Sequence, residues 1–374
     1  MDPHPTHPLT RVVNAAGTYT PLGVSRSSPH VAAAVAAALQ NFYDIDELQR
    51  LLNDTVTADC AAEAATVVHC AAAGITLCVA AAMTGADADK AAALPDTTGL
   101  RNRIVIPAGH AVDYGHPIVT DIRLAGAVPV LAGDARGCSI RQLQDALDAD
   151  RTAALLLVSS RLVQGAALDL GAAVAVARSH NLPTIIDGAA QDLRIDFLLA
   201  TGADVVVLSA HKYLAAPTAG LLIGKRSFID AVRAQSRGIG RAFKPSKEAL
   251  LGVVAAWQER RGIDIAVWRQ ARQHKVDAMV DALAAVPGLR ASAEADPAGG
   301  PFSRVVLNLA AGQAAATALV AALRSGTPSV RVMEHRLRQG ELLLELVPLD
   351  ATECRLIAER VRKASASGAG STPF

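Results

Sequence analysis

Apolar and polar positions follow one another in blocks along this chain. Short, mostly apolar runs recur at Arg103 to Ile106, Ala127 to Leu131, Ala153 to Val158, Pro183 to Ile186 and Val205 to Leu208. A run with no polar alternation marks a strand covered on both faces, as in parallel sheets. Between these runs the spacing turns helical, over Ile140 to Leu147 and Leu170 to Ser179. Such alternation predicts an α/β fold with a mainly parallel, doubly wound sheet. Leu221 to Gly224 reads as a further short strand, antiparallel at the sheet. Upstream, Pro29 to Leu39 and Asp46 to Val56 have helical spacing, with Asp44 as N-cap of the second. Ala61 to Val68 reads as a helix or a helix–strand passage.

The ends of the chain read differently. Residues up to about Asn14 are expected to form a loose arm. One long helix from about Lys247 to Ala285 leads to a second, smaller α/β domain with strands at Arg304 to Leu309, Val330 to Met333 and Glu341 to Val347. Helices are expected there at Gln313 to Leu323 and Ala351 to Lys363. The Ser/Gly/Ala-rich tail from Ala364 is expected to be disordered. The implied division is an N-terminal arm and motif loop (1–45), a large domain (46–250), a connecting helix (251–285), a small domain (286–364) and a tail (365–374).

Chemistry concentrates at the strand tips. The run Val205 to Leu208 ends in Ser209-Ala210-His211-Lys212, and Pro183 to Ile186 ends in Asp187. Parallel strands deliver their carboxyl ends to one edge, where open α/β sheets bind ligands. A lysine desolvated there has a lowered pKa and a nucleophilic amine suited to a Schiff base. With Asp187 facing the same ligand, the pair matches the two ends of pyridoxal 5'-phosphate, aldehyde to Lys212 and ring nitrogen to Asp187. Either residue alone reads equally well as a solvated loop lysine or a capping aspartate; together they favour the cofactor. Lys212, freed on substrate exchange, is placed to take the Cα proton. A β-leaving group then departs to give an aminoacrylate, whose hydrolysis yields a 2-oxo acid and ammonia.

Other positions join this edge. His110, just past Arg103 to Ile106, is a flat ring placed to stack on the cofactor, against the alternative of a turn histidine. Small residues Ala72, Ala73 and Gly74 open a long Ala-rich helix, whose N-terminal amides suit the cofactor phosphate; an ordinary close-packed helix start is the competing reading. Ser159, Ser160 and Gln164 follow a strand and are candidates for hydrogen bonds. Tyr19 lies in a small, polar, glycine-bearing stretch, and Tyr114 in a loop expected to close over substrate. Arg241 and Lys244, on a basic glycine loop, together with Arg304 and Arg331 are candidates for a substrate carboxylate or phosphate. No metal site is expected.

Composition narrows the class. The 374 residues carry 36 basic and 35 acidic side chains, which gives no nucleic-acid footprint. Five cysteines without a C-x-x-C pair suggest free thiols in a reducing compartment. Met1 to Pro8 lacks the apolar core of a secretory signal, and the stretch Ile75 to Met83 is too short to span a bilayer. A cytoplasmic protein without nucleic-acid or membrane partners is expected.

Asn14-Ala15-Ala16-Gly17, Leu22-Gly23-Val24-Ser25, Glu63-Ala64-Ala65, Cys70 to Gly74, Gly109-His110, Tyr114-Gly115, Asp187-Gly188-Ala189, Ser209 to Lys212 and Gly238-Ile239-Gly240-Arg241 through Lys247-Glu248 carry a resemblance. The pattern resembles fold-type-I pyridoxal phosphate enzymes of the L-seryl-tRNA(Sec) selenium transferase-like group, nearest the D-glucosaminate-6-phosphate ammonia-lyase branch. It covers about Val12 to Lys363. The resemblance implies catalytic roles for Lys212, Asp187 and His110, and cofactor contacts from Ser209, His211 and Ala189. It also implies β-elimination or β-replacement on a small amino acid, and a homodimer or an assembly of dimers in which the basic loop serves the neighbour. Transamination, racemisation and aldol-type cleavage use the same residues. A ligand-binding scaffold without turnover is a further alternative, which an intact Lys212 and Asp187 argue against. Three departures stand out: Ala72 where the branch has serine, Ala215-Ala216-Pro217 where a glycine precedes the proline, and a start so near Asn14 that an N-terminal RNA-binding domain has no room. The first two weaken the expectation of a sugar-phosphate substrate; the last argues against a tRNA.

Overall fold

The computed structural model describes residues 9–368. Its strands are β1 (Val12–Ala15), β2 (Ala64–Val68), β3 (Arg103–Pro107), β4 (Val128–Ala132), β5 (Thr152–Val158), β6 (Thr184–Asp187), β7 (Val205–Ser209), β8 (Gly220–Gly224), β9 (Leu289–Ala295), β10 (Ser303–Leu309), β11 (Ser329–Val332) and β12 (Glu341–Leu344). The chain divides into two compact units. One runs from Ser27 to Gly262; the other joins the residues up to Arg26 with those from Ile263 onward.

The Ser27–Gly262 unit is built on a seven-stranded sheet in the order β2-β8-β7-β6-β5-β3-β4. The contacts from β4 through β7 are parallel, and β8 runs antiparallel between β7 and β2. β2 therefore points the same way as the parallel strands, and the carboxyl ends of β2, β3, β5, β6 and β7 share one edge. Strands β5, β6, β7 and β8 are buried along their whole length, which is why their sequences show no alternation. Each fully buried Leu or Ile there contributes about 1.5–3 kcal/mol of apolar burial. Val206, Leu208, Leu155 and Leu157 join the apolar cluster on one face, while Val205, Val207 and Leu156 join that on the other, as the period of two requires. Helices Pro29–Leu39 and Ile45–Thr57 form as expected, and Asp44 caps the second by accepting from the Glu47 amide at 3.0 Å.

The other unit carries an antiparallel sheet, β12-β10-β9, and a parallel pair, β1-β11. Four expectations are corrected in these regions. Val12 to Asn14 is not a loose arm but strand β1, paired residue by residue with Ser329 to Arg331. The stretch Ala61 to Val68, read as a helix or a helix–strand passage, contains no helix and ends in strand β2. The long helix is two, Lys247–Arg261 and Ile265–Leu283, because Asp264 caps the second by accepting from the Ala266 and Val267 amides. The last helix, Ala351–Gly368, continues through the first residues of the expected tail; residues 369–374 lie outside the described residues, as does the expected absence of a signal in Met1 to Pro8. Strand β9 adds an element that the hydropathy pattern did not flag. No helix among the described residues is long and apolar enough to cross a membrane.

Candidate active site

Strand register brings the chemistry together. Asp187 closes β6 and pairs with Val158 of β5 on one side and Val207 of β7 on the other. Ser209 closes β7 and pairs with Gly220, which also pairs with Val68 at the end of β2. The carboxylate, the Ser209 hydroxyl and the start of the helix after β2 therefore stand along one edge.

Asp187 is buried. Its Oδ1 accepts from the Ala189 amide at 3.0 Å, and its Oδ2 receives no hydrogen bond from the described residues. Burial pushes its pKa up, the Lys212 charge opposes this, and Asp121 adds to it. Lys212 follows Ser209 in a tight turn, its amide donating to the Ser209 carbonyl at 3.0 Å. Desolvation pulls its amine pKa down, Asp187 acts against this, and Arg161 adds to it. Lys212 keeps some exposed surface, so the enclosure is around the amine rather than the whole side chain. Each residue is thus the leading charge acting on the other.

His110 is 4% exposed, and its Nδ1 accepts from the Val158 amide at 2.9 Å. That bond puts the neutral ring's proton on Nε2 and fixes the ring beside Asp187's neighbour strand. Burial lowers its pKa to about 4. His211 is lowered to about 4 as well, by burial and then by Lys212, with its Nδ1 3.3 Å from Ser209 Oγ. Ser159 extends β5, and its amide donates to the Asp187 carbonyl at 2.8 Å.

At the helix Ala71–Thr84 the sequence reading is refined. Cys70 is the N-cap, with Sγ accepting from the Ala73 amide at 3.5 Å, and the Gly74 amide donates to the Cys70 carbonyl at 2.9 Å. Gly74 faces the sheet, where a Cβ would lie 3.1 Å from Val207 Cγ1. The amides left for an anion are those of Ala71 and Ala72, not those of Ala73 and Gly74. Gly220 sets how close this helix start comes to the sheet: a Cβ there would sit 2.4 Å from the Cys70 carbonyl oxygen. The basic loop adjoins the same place, since the Phe243 carbonyl accepts from the His69 amide at 2.9 Å; Arg241 and Lys244 on it are exposed.

Tyr114 is engaged otherwise than expected. Its hydroxyl donates to Asp121, which also receives His116 Nε2 at 2.9 Å. Burial first, then that bond to Asp121, hold the phenol far above its ordinary pKa, so it is a fixed donor rather than a free substrate contact. Tyr19, Arg304 and Arg331 belong to the other unit. Tyr19 is exposed. Arg304 is buried and spends its guanidinium on Asp296 at 2.6 Å and Glu345 at 2.9 Å, which corrects its reading as a cation for substrate. Arg331 is partly buried, and its Nε has no hydrogen-bond partner. The Asn14 to Gly17 motif is a closed turn: Asn14 Nδ2 donates to the Gly17 carbonyl, and Gly17, at φ +74°, leaves room for the Glu345 carboxylate. Sequence reading missed two residues near Lys212. Arg161 has no hydropathy signal to mark it, and Asp192 is a buried acid paired with Arg260 at 2.9 Å. Arg260 also donates to the carbonyl of Tyr213, the residue after Lys212. No cluster of metal-ligating side chains occurs among the described residues.

These residues fit pyridoxal phosphate. A buried carboxylate with one oxygen open suits a protonated ring nitrogen. Free amides at a helix start beside Ser209 suit a phosphate, and an amine of lowered pKa suits an aldehyde. The comparisons agree. The Aminotransferase class-V family model matches residues 126–343. D-glucosaminate-6-phosphate ammonia lyase of Salmonella typhimurium is 36% identical over 359 residues, covering 95% of each chain. A 5'-C-glycyluridine monooxygenase-decarboxylase from a Streptomyces species is 33% identical over 337 residues, covering 88% of this chain and 84% of that protein. A solved structure of D-glucosaminate-6-phosphate ammonia-lyase superposes with a TM-score of 0.85 over 96% of this chain and 97% of that one.

Proposed function

This chain belongs to the aminotransferase class-V family of pyridoxal phosphate enzymes, and from that premise we propose that it is a lyase removing ammonia from a β-hydroxylated amino acid. The observation that carries the reading is the pair of Lys212 and buried Asp187 on neighbouring strand tips, each the main charge felt by the other. When bound, pyridoxal phosphate supplies a sink for the charge that develops at the substrate Cα. Asp187 would hold the ring nitrogen and favour a proton on it. Ser209 and the Ala71 and Ala72 amides would hold the phosphate. His110, neutral and pinned through Nδ1, would cover one face of the ring and keep water from it. Lys212 Nζ, its pKa drawn down by burial, is a base suited to taking the Cα proton. Loss of the β-hydroxyl as water then leaves an enamine, and water returns to release ammonia and a 2-oxo acid.

Two of the curated relatives bear names of hydroxylated amino acids, glucosaminate, which is a sugar-derived amino acid, and glycyluridine, which joins a glycyl group to a nucleoside; this supports a polyhydroxylated amino acid as substrate. Free cysteines throughout support a reducing, cytoplasmic setting. The exposed apolar run Leu39, Phe42, Tyr43 and Ile45 supports a second copy as partner, checked by sedimentation. The activity is tested by incubating the cofactor-loaded protein with D-glucosaminate 6-phosphate, D-serine and L-serine. The reading expects 2-oxo acid and ammonia in equal amounts. Amine transfer to an added 2-oxo acid without free ammonia would replace it with transamination.

A further inference from the structure

The segment after β5 forms an arch tied at both ends to residues of the site edge. One foot is Ser159, whose amide donates to the Asp187 carbonyl at 2.8 Å; the other is Gln164, whose amide donates to the Gly109 carbonyl at 3.0 Å. Its feet thus rest on the residue that would hold the ring nitrogen and on the residue before His110. The arch is held rigid. Within it, the Leu162 amide donates to Ser160 Oγ and the Val163 amide to the Ser160 carbonyl. Gly109 lets the far foot close, since a Cβ there would lie 2.0 Å from the Gln164 carbonyl oxygen. Beyond it, the Ala166 amide donates to the Arg136 carbonyl at 2.7 Å.

Arg161 lies between the two feet of this arch in sequence, exposed, with no hydrogen bond or ion pair to any described residue. A surface arginine would ordinarily be of no consequence. This one is a nearby positive charge acting on the Lys212 amine, and its backbone is fixed at both ends to the site. We propose that Arg161 is the substrate-anion anchor of this site, binding an anionic oxygen group of the incoming amino acid, either its carboxylate or a distal phosphate, through the planar fork of its guanidinium. The proposal rests on the pyridoxal phosphate reading and adds a residue to it. It makes Arg161 a specificity determinant for anionic substrates.

The test uses the cofactor-loaded protein and two simple anions, acetate for a carboxylate and methylphosphonate for a phosphate, against chloride at equal ionic strength. The pH titration of the cofactor absorbance band is followed in wild type, Arg161→Gln and Arg161→Lys. An anion seated on Arg161 cancels its charge near Lys212, so the midpoint moves to higher pH with the anion that fits. Without anion, Arg161→Gln moves the midpoint up by itself and abolishes the anion effect, while Arg161→Lys keeps the starting midpoint and weakens the effect. A shift with acetate alone assigns the carboxylate; a shift with methylphosphonate alone assigns the phosphate. Turnover of D-glucosaminate 6-phosphate gives a second reading, with KM raised roughly 10-fold or more in Arg161→Gln, as for a lost charged hydrogen bond, and kcat little changed. Midpoints that ignore both anions in wild type, or an anion shift that survives in Arg161→Gln, overturn the proposal. A protein that shows no cofactor band at all instead refutes the pyridoxal phosphate reading beneath it.

Discussion

At the scale of single residues, the site turns on how burial treats charge. Asp187 and Lys212 are moved toward each other in pKa by desolvation, and each restrains the other. Replacing Asp187 with Asn keeps the shape and removes the charge. Turnover is expected to fall roughly 10²–10³-fold, as when one preorganised electrostatic partner is lost, with little change in thermal stability; steady-state kinetics and a melting curve check both. His110 gives a pH test. Its folded pKa is about 4 against an ordinary 6.5, so the folded state resists protonation and the unfolded state does not. Its stabilising contribution is whole above pH 6.5 and is lost as pH falls from 6.5 through 4, a loss on the order of 3 kcal/mol at about 1.4 kcal/mol per unit. NMR of the ring protons should show His110 still neutral at pH 5.5; titration near 6.5 would refute its burial as the cause. Lys212 and Asp187 were legible because a polar residue ending an apolar run is visible in one dimension. Arg161 was not, because its meaning comes from the Ser159 and Gln164 hydrogen bonds that place it. Arg304 was misread for the same reason: its partners Asp296 and Glu345 lie on other segments.

At the scale of elements, the helix start after β2 and the turn after Lys212 position the chemistry. Gly220 permits the first. Gly220→Ala places a methyl against the Cys70 carbonyl, so a loss of about 1–3 kcal/mol from overpacking is expected, together with weaker retention of pyridoxal phosphate. Denaturant unfolding and dialysis measure the two. The turn carries Ala215 at φ +56°, a left-handed conformation that costs an L-residue roughly 1–2 kcal/mol. Ala215→Gly relieves that strain at the expense of unfolded-chain entropy, so a net gain of about 0.5–1 kcal/mol is expected; an unchanged or lower melting temperature would contradict it. The strands of the large sheet were readable because β5, β6 and β7 are buried on both sides. Edge strand β9 was not, since its residues alternate irregularly between buried and exposed. The helix break at Gly262 to Asp264 was hidden because helix-forming residues flank it on both sides, and only the Gly262 C-cap and the Asp264 N-cap mark it.

At the scale of the molecule, each of the two units has its own apolar core and its own buried charges. In the Ser27–Gly262 unit buried Asp187 stands at the strand-tip edge, while buried Asp192 is paired with Arg260. The other unit spends Arg304 on its own core, between Asp296 and Glu345. Arg304→Met leaves two buried carboxylates without a cation, and a loss of about 3–5 kcal/mol is expected in urea unfolding, against a negligible change if the pair were solvated. The central claim is that Lys212 holds pyridoxal phosphate. Borohydride reduction of the loaded protein followed by peptide mapping tests it most directly: the account predicts a yellow protein, bleached on reduction, with the label on Lys212 alone and none in Lys212→Ala. A colourless protein after soaking in the coenzyme, or a label on another lysine, would contradict it.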